Sequence, residues 1–399
     1  MSSQIARGQL SGEDQEISHA VVSPPRIRVG FVMHVMHVAG AEVLVQRIIK
    51  ELSDVIEPVV FCLDKIGSIG HDLQKQGIQV ICLNRTPGID WRLGHRLAQN
   101  LNRHQIEVVH AHQYTPFFYS ALARLMGAGK SRVLFTEHGR HLPDVVSSKR
   151  RLVNRLLLQK CADVTNACSD FSAAALSEKD GFSAVGVIRN GIDVGLFPAR
   201  GDEAEQKQLR DRIGLKSELQ YVACVARLHP IKDHETLLNA WQRIAQQRDN
   251  ARLLIVGDGE RRIHLEQQAK DLGIQTSIEF LGVRNDVSDI LRAVDVFTLS
   301  SHSEASSLTL LEAMASECPI VITDVGGNRE HLEDGEQGLL VPRGDATQLA
   351  QSIGRLLDSP DVGHRLGEAA RKRVCREFDL ESVVESYSQL YQKLANRLS

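Results

Sequence analysis

The sequence predicts an α/β protein built of two doubly wound, Rossmann-like parallel-sheet domains that face each other across a cleft. Short β-branched and apolar runs alternate with helical patterns along most of the chain, which favours parallel strands joined by helical crossovers. The 399 residues exceed what one hydrophobic core usually serves. A polar, charged stretch near residue 200 interrupts the alternation, which then begins again.

Strand candidates occur in two series, with helical patterns such as AEVLVQRIIKEL (41–52) and KRRLVNRLLLQKC (149–161) between them. In the first series they are residues 26–35, 58–63, 79–83, 107–112, 132–138, 163–169 and 185–191. In the second they are residues 220–227, 251–257, 277–282, 295–301, 319–324 and 338–342. The second series is almost continuously apolar, as expected when helices cover both faces of a sheet.

These patterns set the expected boundaries. We expect a disordered tail (1–25), an N-terminal domain (26–200), a linker (201–218), a C-terminal domain (219–375) and a C-terminal helix (376–399) that packs back toward the N-terminal domain. The tail has no apolar run after a basic start, so it does not resemble a secretory signal.

Composition narrows the classes of function. The formal net charge of −3 gives no electrostatic reason to expect nucleic acid as a partner. The seven scattered cysteines, never in a CxxC pair, are typical of reduced core residues. No apolar stretch reaches the length of a membrane span. We therefore expect a cytoplasmic protein that is soluble or, at most, peripheral on the inner face of the membrane.

Two cations follow the first strand of the second series. Arg227 ends QYVACVAR, and Lys232 stands just before a helical pattern. In doubly wound sheets ligands bind outside the carboxyl ends of strands. Fixed positive charge beside a helix N-terminus favours an anion, so the pair indicates a phosphate site. Two solvated loop residues remain the plain alternative.

Two glutamates flank a helix start in SHSEASSLTLLEAMASECP (301–319). Ser306 or Ser307 is a suitable N-cap, and Pro319 ends the helical pattern. Glu304 would lie in the loop that leads into the helix, and Glu312 would lie more than one turn after the helix begins. Both side chains would face the cleft. Taken alone, each glutamate is more typical of an ordinary surface carboxylate.

Three further positions follow strand candidates. Gly40 begins a helix, where its backbone could approach a phosphate closely. His138 ends RVLFTEH and could donate a hydrogen bond to a sugar or phosphate oxygen. Gly282 ends EFLG, and the backbone after it could border a flat base. A packed or surface histidine is the plain alternative for His138.

Two other sites are disfavoured. LLIVGDGERR has Gly257 and Gly259 after a strand, but Arg262 stands where a dinucleotide fingerprint has its third glycine. Zinc could be considered because His110 and His112 share one face of a strand, with His34 and His37 near each other in sequence. A convincing third ligand is missing. We expect no metal site.

Together these segments resemble the retaining, nucleotide-sugar-dependent glycosyltransferases of the GT-B fold, group 1 or family 4. The hallmark is a glutamate, seven residues and a second glutamate, here Glu304 and Glu312 with LLEAMA in place. The segments VIRNGID, VARLHPIKDHETLLNA, LLIVGDGE, IEFLG, PIVITDVGGNRE and GLLVP follow in the family's order. The resemblance covers about residues 26–395.

The resemblance implies a hexosyltransferase-type enzyme (EC 2.4 class) that moves a sugar from a UDP- or GDP-sugar to an acceptor hydroxyl, in polysaccharide or glycolipid synthesis. The N-terminal domain would bind the acceptor and the C-terminal domain the donor. Arg227 and Lys232 would bind the diphosphate, Glu304 and His138 the transferred sugar, and Glu312 the ribose. The remaining donor contacts would come from Gly40, Gly282, Ser306, Ser307 and Leu308.

The resemblance leaves the acceptor open: a glycan, a lipid-linked sugar or a small molecule. Residues 147–160 mix cations with a leucine face. They predict either an ordinary helix packed on the sheet or a peripheral contact with anionic lipid. Because no residue is an evident nucleophile, the favoured mechanism is displacement on one face of the sugar, with the leaving diphosphate taking the acceptor's proton.

The sequence departs from the family at four places. Ala305 stands where glycine is usual, Ser306 and Ser307 replace an aromatic residue and a glycine, and Glu317 replaces a glycine. Ala39 precedes Gly40 where paired glycines are common. Residues 305–307 line the expected sugar pocket, so they leave the sugar's identity open.

Two other functions fit the same architecture. A nucleotide-sugar epimerase would convert the donor without an acceptor. A non-catalytic nucleotide-sugar-binding protein would bind the donor and never release free nucleoside diphosphate. The retained Arg227, Lys232, Glu304 and Glu312 argue against the latter.

Overall fold

The computed structural model describes residues 25–139 and 147–396. The expected disordered tail lies outside the described residues except for its last residue. The acceptor-side stretch FTEHGRHLPD is described only as far as Gly139.

The first half forms one seven-stranded sheet in the order β3-β2-β1-β4-β5-β6-β7, with parallel pairing throughout. Its strands are β1 (Ile27–Val35), β2 (Ile56–Lys65), β3 (Gln79–Cys82), β4 (Val108–His112), β5 (Arg132–Glu137), β6 (Val164–Ala167) and β7 (Val185–Val187).

The second half forms a six-stranded parallel sheet in the order β10-β9-β8-β11-β12-β13. Its strands are β8 (Gln220–Val225), β9 (Ala251–Val256), β10 (Ile278–Gly282), β11 (Val296–Leu299), β12 (Ile320–Thr323) and β13 (Leu339–Val341). The prediction of two doubly wound parallel sheets is confirmed, and each strand lies within its predicted stretch or within two residues of it.

Strand order reverses between β1 and β4 in one sheet and between β8 and β11 in the other. Such reversal points open a crevice at the carboxyl ends of the strands, where ligands bind. Arg227 and Lys232 follow β8, and Glu304 follows β11. Gly40 follows β1, so the reversal points gather most of the predicted site.

Helices cover both faces of each sheet. In the first half they are α1 (Gly40–Glu51), α2 (Gly67–Lys75), α3 (Trp91–Arg103), α4 (Tyr114–Leu125), α5 (Ser148–Leu156) and α6 (Asp170–Glu178). In the second they are α7 (Glu203–Ile213), α8 (His234–Ala245), α9 (Arg262–Asp271), α10 (Val287–Ala293), α11 (Leu308–Ala315), α12 (Asn328–His331), α13 (Ala346–Asp358), α14 (Pro360–Glu377) and α15 (Leu380–Ala395). None of the described helices combines the length and apolarity needed to cross a bilayer.

The segment expected as a linker contains helix α7. Asp202 and Glu205 form a reciprocal capping box at its start, and Gly214 ends it in the left-handed conformation. Arg210 is buried and donates two hydrogen bonds of 2.9 Å to the carboxylate of Asp295. The charged run is thus a helix anchored to the second sheet.

The last helix crosses back to the first half. Ile192 donates its backbone N–H to Phe378 O (2.9 Å) and accepts from Leu380 N (3.1 Å), so the two chain crossings pair side by side. Beyond them, α15 buries Tyr387 and Tyr391 against the first sheet, in one hydrophobic cluster with β1 residues. Burial of large aromatic side chains of this kind contributes several kcal/mol to folding.

Candidate active site

The loops after β8 and β11 are joined at the carboxyl edge of the second sheet. Ser300 Oγ donates to the backbone carbonyl oxygens of Lys232 (3.1 Å) and Asp233 (2.8 Å). His302 N donates to Ile231 O at 2.8 Å. Two predicted site residues that are 72 positions apart therefore meet: Lys232 Nζ donates to Glu304 Oε1 at 2.6 Å.

Glu304 is held by more than this ion pair. Its side chain is nearly buried, and Ser301 Oγ donates to the same Oε1 at 2.5 Å. The sequence pattern predicts Lys232 as a phosphate ligand and Glu304 as a separate sugar ligand. In the structure the two form one unit, in which Lys232 and Ser301 orient the carboxylate.

Two glycines in the segment DVGGN let the chain pack against the Glu304 loop. A Cβ at Gly326 would overlap the carbonyl of Glu304, and one at Gly327 would overlap that of Ala305. Gly327 N donates to Glu304 O at 2.9 Å. The role of these glycines was not predicted, although their motif is part of the family pattern.

Two helix N-termini converge across the cleft. Ser307 caps α11, and its Oγ accepts from Leu310 N. Ala39 precedes α1 and provides no side-chain cap, so the first backbone N–H groups of α1 have no capping oxygen. A Cβ placed on Gly40 would lie 3.6 Å from Leu308 Cδ1. The N-termini of α1 and α11 therefore lie close to each other, and the positive end of a helix favours an anion.

Arg227 stands exposed at the same edge of the second sheet, and its charge acts on a carboxyl of the first domain. That carboxyl is Glu42, buried in the first turn of α1. Burial raises the pKa of Glu42, while a backbone hydrogen bond and the nearby His37 and Arg227 side chains oppose the rise. Sequence reasoning missed Glu42; an acidic residue in the first turn after Gly40 was the available signal.

Glu312 lies in the second turn of α11, as expected, and it is partly buried. Burial raises the pKa of its carboxyl to about 7. The structure shows no ion pair or side-chain hydrogen bond of Glu312 with the described residues. An unpaired carboxyl of this kind is suited to bind the hydroxyl groups of a ligand.

The first domain brings His138 to the same cleft. Gly139 has φ +105°, and a Cβ there would overlap that of Ala305, the residue after Glu304. His138 and Gly139 therefore lie against the loop that carries Glu304. Ala305 fills the space that the family's usual glycine would leave open.

Further contacts across the cleft involve residues that the sequence analysis did not assign. Asn190 Nδ2 donates to Ser306 O at 3.2 Å. Glu330 accepts hydrogen bonds from the backbone N–H groups of Asp170 (2.8 Å) and Phe171 (2.7 Å), at the N-terminus of α6. Both lie in quoted motifs, RNGID and GGNRE, yet nothing in the sequence indicates what they contact.

Ser306 and Leu308 border the site in different ways. Ser306 Oγ lies 2.9 Å from Nε2 of the buried His331, and this hydrogen bond orients the hydroxyl. Leu308 faces Gly40, as described above. The serine that replaces an aromatic residue of the family is thus part of a polar contact, and it narrows the pocket less than an aromatic ring would.

Gly282 ends β10 beside the turn that follows β9. Gly257 N donates to Gly282 O at 2.8 Å, and a Cβ at Gly259 would lie 2.5 Å from Leu228 O. The glycines of LLIVGDGE therefore serve close backbone packing. Arg262, which stands where a dinucleotide fingerprint has its third glycine, forms an ion pair with Glu266.

Among the residues that the structure describes, no group of three or more His, Cys, Asp or Glu side chains could hold a metal ion. His34 Nδ1 forms a hydrogen bond with Asp64 Oδ2 at 3.1 Å. His110 and His112 lie in the core of the first sheet.

Two family descriptions match the chain. "Glycosyl transferases group 1" matches residues 205–373, and "Glycosyltransferase Family 4" matches residues 38–196. The N-acetyl-alpha-D-glucosaminyl L-malate synthase of Bacillus anthracis is 28% identical over 312 residues, which cover 76% of this chain and 79% of the relative. The putative glycosyltransferase EpsD of Bacillus subtilis is 28% identical over 309 residues, 74% and 79% respectively.

Among solved structures, Anabaena Alr3699/HepE in complex with UDP and glucose is similar. Its TM-score is 0.80 at 22% identity, with 92% of this chain and 100% of that chain covered. The two facing parallel sheets and this neighbour show the GT-B fold, and the two family matches show a glycosyltransferase. The chain belongs to the group 1 glycosyltransferases, as the sequence pattern predicted.

Proposed function

We propose that this glycosyltransferase is a retaining enzyme that uses a nucleoside-diphosphate sugar as donor, with the diphosphate between the N-termini of α1 and α11. The convergence of Gly40 and Leu308 across the cleft carries this proposal. Arg227 and Lys232 lie at the same edge and supply the positive charge that a diphosphate requires.

The remaining roles follow from position. Glu304, oriented by Lys232 and Ser301, would accept hydrogen bonds from the transferred sugar. Glu312 would accept them from the ribose. His138 would donate to a sugar oxygen, and the backbone of residues 306–308 would line the diphosphate and sugar. The backbone after Gly282 would border the base.

Retention of configuration requires a step on one face of the sugar. The bond from the anomeric carbon to the leaving phosphate oxygen breaks, and the bond to the acceptor oxygen forms. The acceptor's proton passes to the departing phosphate oxygen, so no protein nucleophile is needed. Arg227, Lys232 and the helix N-termini would stabilise the negative charge that develops on that oxygen.

The relatives support a class of donor and leave the acceptor open. Alr3699/HepE has been solved with UDP-glucose, which supports a uridine donor, with a GDP-sugar as the competing choice. The names of the relatives point to L-malate, D-inositol 3-phosphate and lipopolysaccharide core. We propose a glycan, lipid-linked sugar or small-molecule acceptor in cytoplasmic polysaccharide or glycolipid synthesis.

A donor screen tests the proposal. UDP-, GDP- and ADP-sugars would be compared by thermal shift, and release of nucleoside diphosphate would then be followed with and without acceptor. Acceptor-dependent release supports transfer. Sugar conversion without any acceptor would identify an epimerase, and binding without turnover under every acceptor would identify a binding protein.

Divalent metal is not required under this proposal, because the cations and helix ends supply the positive charge. We expect turnover in EDTA to stay within about twofold of turnover without it. EDTA would remove none of the protein groups that stabilise the transition state. Loss of activity in EDTA with recovery on adding Mn²⁺ would contradict this.

We also propose a peripheral membrane contact through the surface of α5. Helix α5 buries Asn154, while Leu152, Val153 and Leu156 are 58%, 46% and 60% exposed. These apolar side chains are not covered by the sheet, which supports the second of the two alternatives for this helix. The exposed cations Lys149, Arg151 and Arg155 stand among them, a combination that suits an anionic lipid surface.

Helices α3 and α4 carry further exposed apolar residues. Tyr114 OH donates to Asn154 Oδ1 at 2.7 Å, which joins α4 to α5. At the far end of α4, Met126 lies beside Gly94 of α3, and Trp91, Leu125 and Met126 are exposed. Exposed Trp and Leu side chains occur at membrane-interface contacts.

Co-sedimentation with anionic and neutral phospholipid vesicles tests this contact. We expect binding to anionic vesicles that falls about tenfold in a Leu152→Ser, Leu156→Ser double variant, because the apolar contact is lost. Ile263→Ser is the control, since Ile263 is 83% exposed on α9 of the other domain. Equal binding of all three proteins, or none to anionic vesicles, would contradict the contact.

A further inference from the structure

Glu330 of the second domain caps a helix of the first domain. Its Oε2 accepts a hydrogen bond from the backbone N–H of Asp170 (2.8 Å), and its Oε1 accepts one from that of Phe171 (2.7 Å). These are the first two residues of α6. A negative charge at the positive end of a helix is favourable, and charge-assisted hydrogen bonds are among the strong ones. None of the roles proposed above uses this contact.

The cap of α6 is divided between the two domains. Ser169 Oγ accepts from Ser172 N at 3.2 Å, so the first domain itself supplies an acceptor for the third helical residue. The N–H groups of the first two residues have no acceptor within a helix, and Glu330 supplies both. The side chain of Asp170 does not oppose this as an unpaired like charge, because Arg189 forms an ion pair with it at 2.6 Å.

Within the second domain, Glu330 is tied to the loop that carries Glu304. Gly327 N donates to Glu304 O at 2.9 Å, and Glu330 N donates to Gly327 O at 3.0 Å. Arg373, whose side chain is 15% exposed, donates to Glu330 O at 3.2 Å. A Cβ at Gly327 would lie 3.6 Å from Cβ of Ser169, the first domain's own cap of α6. Two backbone hydrogen bonds therefore lead from the capping carboxylate to the proposed sugar ligand.

We infer that Glu330 is a positioning residue, which by docking its carboxylate on the N-terminus of α6 holds the Glu304 loop against the first domain. The inference rests on the proposed function, in which the donor and the acceptor are bound mainly by different domains. Asn190 holds the same loop through its hydrogen bond to Ser306 O. The Glu330 contact is the stronger of the two, because its hydrogen bonds are shorter and charge-assisted.

Amide hydrogen exchange, followed by NMR in the full-length protein without ligands, tests the cap. The N–H groups of Asp170 and Phe171 have no intrahelical acceptor, so their protection depends on Glu330. We expect both to be protected in the wild type and to exchange about tenfold faster in Glu330→Ala. Glu333→Gln is the matched control, since Glu333 is 69% exposed and pairs with Arg373 of its own domain. Unprotected amides in the wild type, or equal rates in all three proteins, would overturn the inference.

Kinetics then test whether the docked carboxylate positions the site. We expect Glu330→Ala to lower kcat about tenfold at saturating donor and acceptor, because the two substrates are no longer held in register. Donor affinity, measured by calorimetry, should fall only about threefold, because most of the proposed donor ligands lie on the second domain. Glu330→Gln keeps one acceptor oxygen and should lie between Glu330→Ala and the wild type. An unchanged kcat in Glu330→Ala would overturn the inference.

The outcomes also separate this inference from the proposed function. If Glu330→Ala exposes the α6 amides and transfers sugar at the full rate, the inference falls and the proposed function stands. If the wild type protects these amides but turns over no nucleoside-diphosphate sugar, the proposed function falls and the docking of Glu330 stands. Should Glu330→Ala fail to fold, the wild-type exchange rates and the Glu330→Gln variant still decide.

Discussion

The two domains meet at one cleft but supply different chemistry to it. The second domain contributes charge: Arg227, Lys232 and Glu304 stand at the reversal point of its sheet, two of them already paired. The first domain contributes the N-terminus of α1, a neutral His138 and the buried carboxyl of Glu42, whose pKa is raised by burial. The comparison teaches that one side holds the donor's charge and the other completes the pocket by shape and hydrogen bonding.

The largest test of this division removes the charge. Arg227→Ala and Lys232→Ala should each lower kcat about 100- to 1,000-fold at saturating donor, because each removes one stabilising donor from the departing phosphate. Release of nucleoside diphosphate, measured with matched circular dichroism, provides the readout. Lys270→Ala on the exposed end of α9 is the control.

Near-normal turnover in both variants would mean that neither cation stabilises the negative charge of the departing phosphate. Lys232→Ala has a second consequence, because it removes the partner of Glu304. We therefore expect its KM for the donor to rise more than that of Arg227→Ala.

The contribution of the first domain can be tested at a glycine. Gly139→Ala should destabilise the closed cleft and lower donor affinity about tenfold, since its Cβ would overlap that of Ala305. Gly127→Ala is a matched control: Gly127 also has a positive φ, and a Cβ there meets nothing within 4 Å. Both variants share a backbone cost of about 1–2 kcal/mol.

Only the cleft contact distinguishes the two variants. Isothermal titration with the donor and thermal unfolding would therefore separate them. Equal donor affinity in both variants would show that the Gly139–Ala305 contact plays no part in binding.

The smallest expected effect concerns Glu312. Because burial raises its pKa to about 7, the folded state binds this proton more tightly than the unfolded state, whose glutamate has its ordinary value near 4.5. Stability therefore falls as pH rises from about 4.5 to 7 and is then level. Glu312→Gln should be more stable than wild type by about 1–3 kcal/mol at pH 8 and unchanged at pH 5.

Donor affinity should respond in the opposite sense, since the ribose hydroxyls donate to the carboxylate. We expect wild-type affinity to rise as pH passes through about 7, and Glu312→Gln to lose this dependence. Urea unfolding and titration calorimetry at both pH values measure the two effects. A pH-independent wild type would mean that Glu312 does not bind the donor.

The positions of the strands were predictable because the pattern of apolar residues indicates them. The strand candidates were recovered because strands covered on both faces are continuously apolar. The charged run at 201–218 was misleading, although Asp202 with Glu205 and the terminal Gly214 were helix signals. Glu317 adopts φ +55°, so a conformation that favours glycine persists where the family's glycine is absent.

Individual residues of the site were predictable, but the contacts between them were not. The motif indicated Glu304 and Lys232, but their ion pair depends on how the β8 and β11 loops join, and no local pattern encodes this. The same holds for Glu330 on the N-terminus of α6. Exposure of Leu152 and Leu156 was equally hidden, because a helical leucine face looks the same whether or not a neighbour covers it.

The central claim is that a donor diphosphate binds between the two helix N-termini. A crystal structure of the protein with a nucleoside diphosphate tests it most directly. We expect the β-phosphate to contact the backbone N–H groups near Gly40 and Leu308, within hydrogen-bond distance of Arg227 and Lys232. A diphosphate bound elsewhere, with both cations turned away from it, would contradict the account.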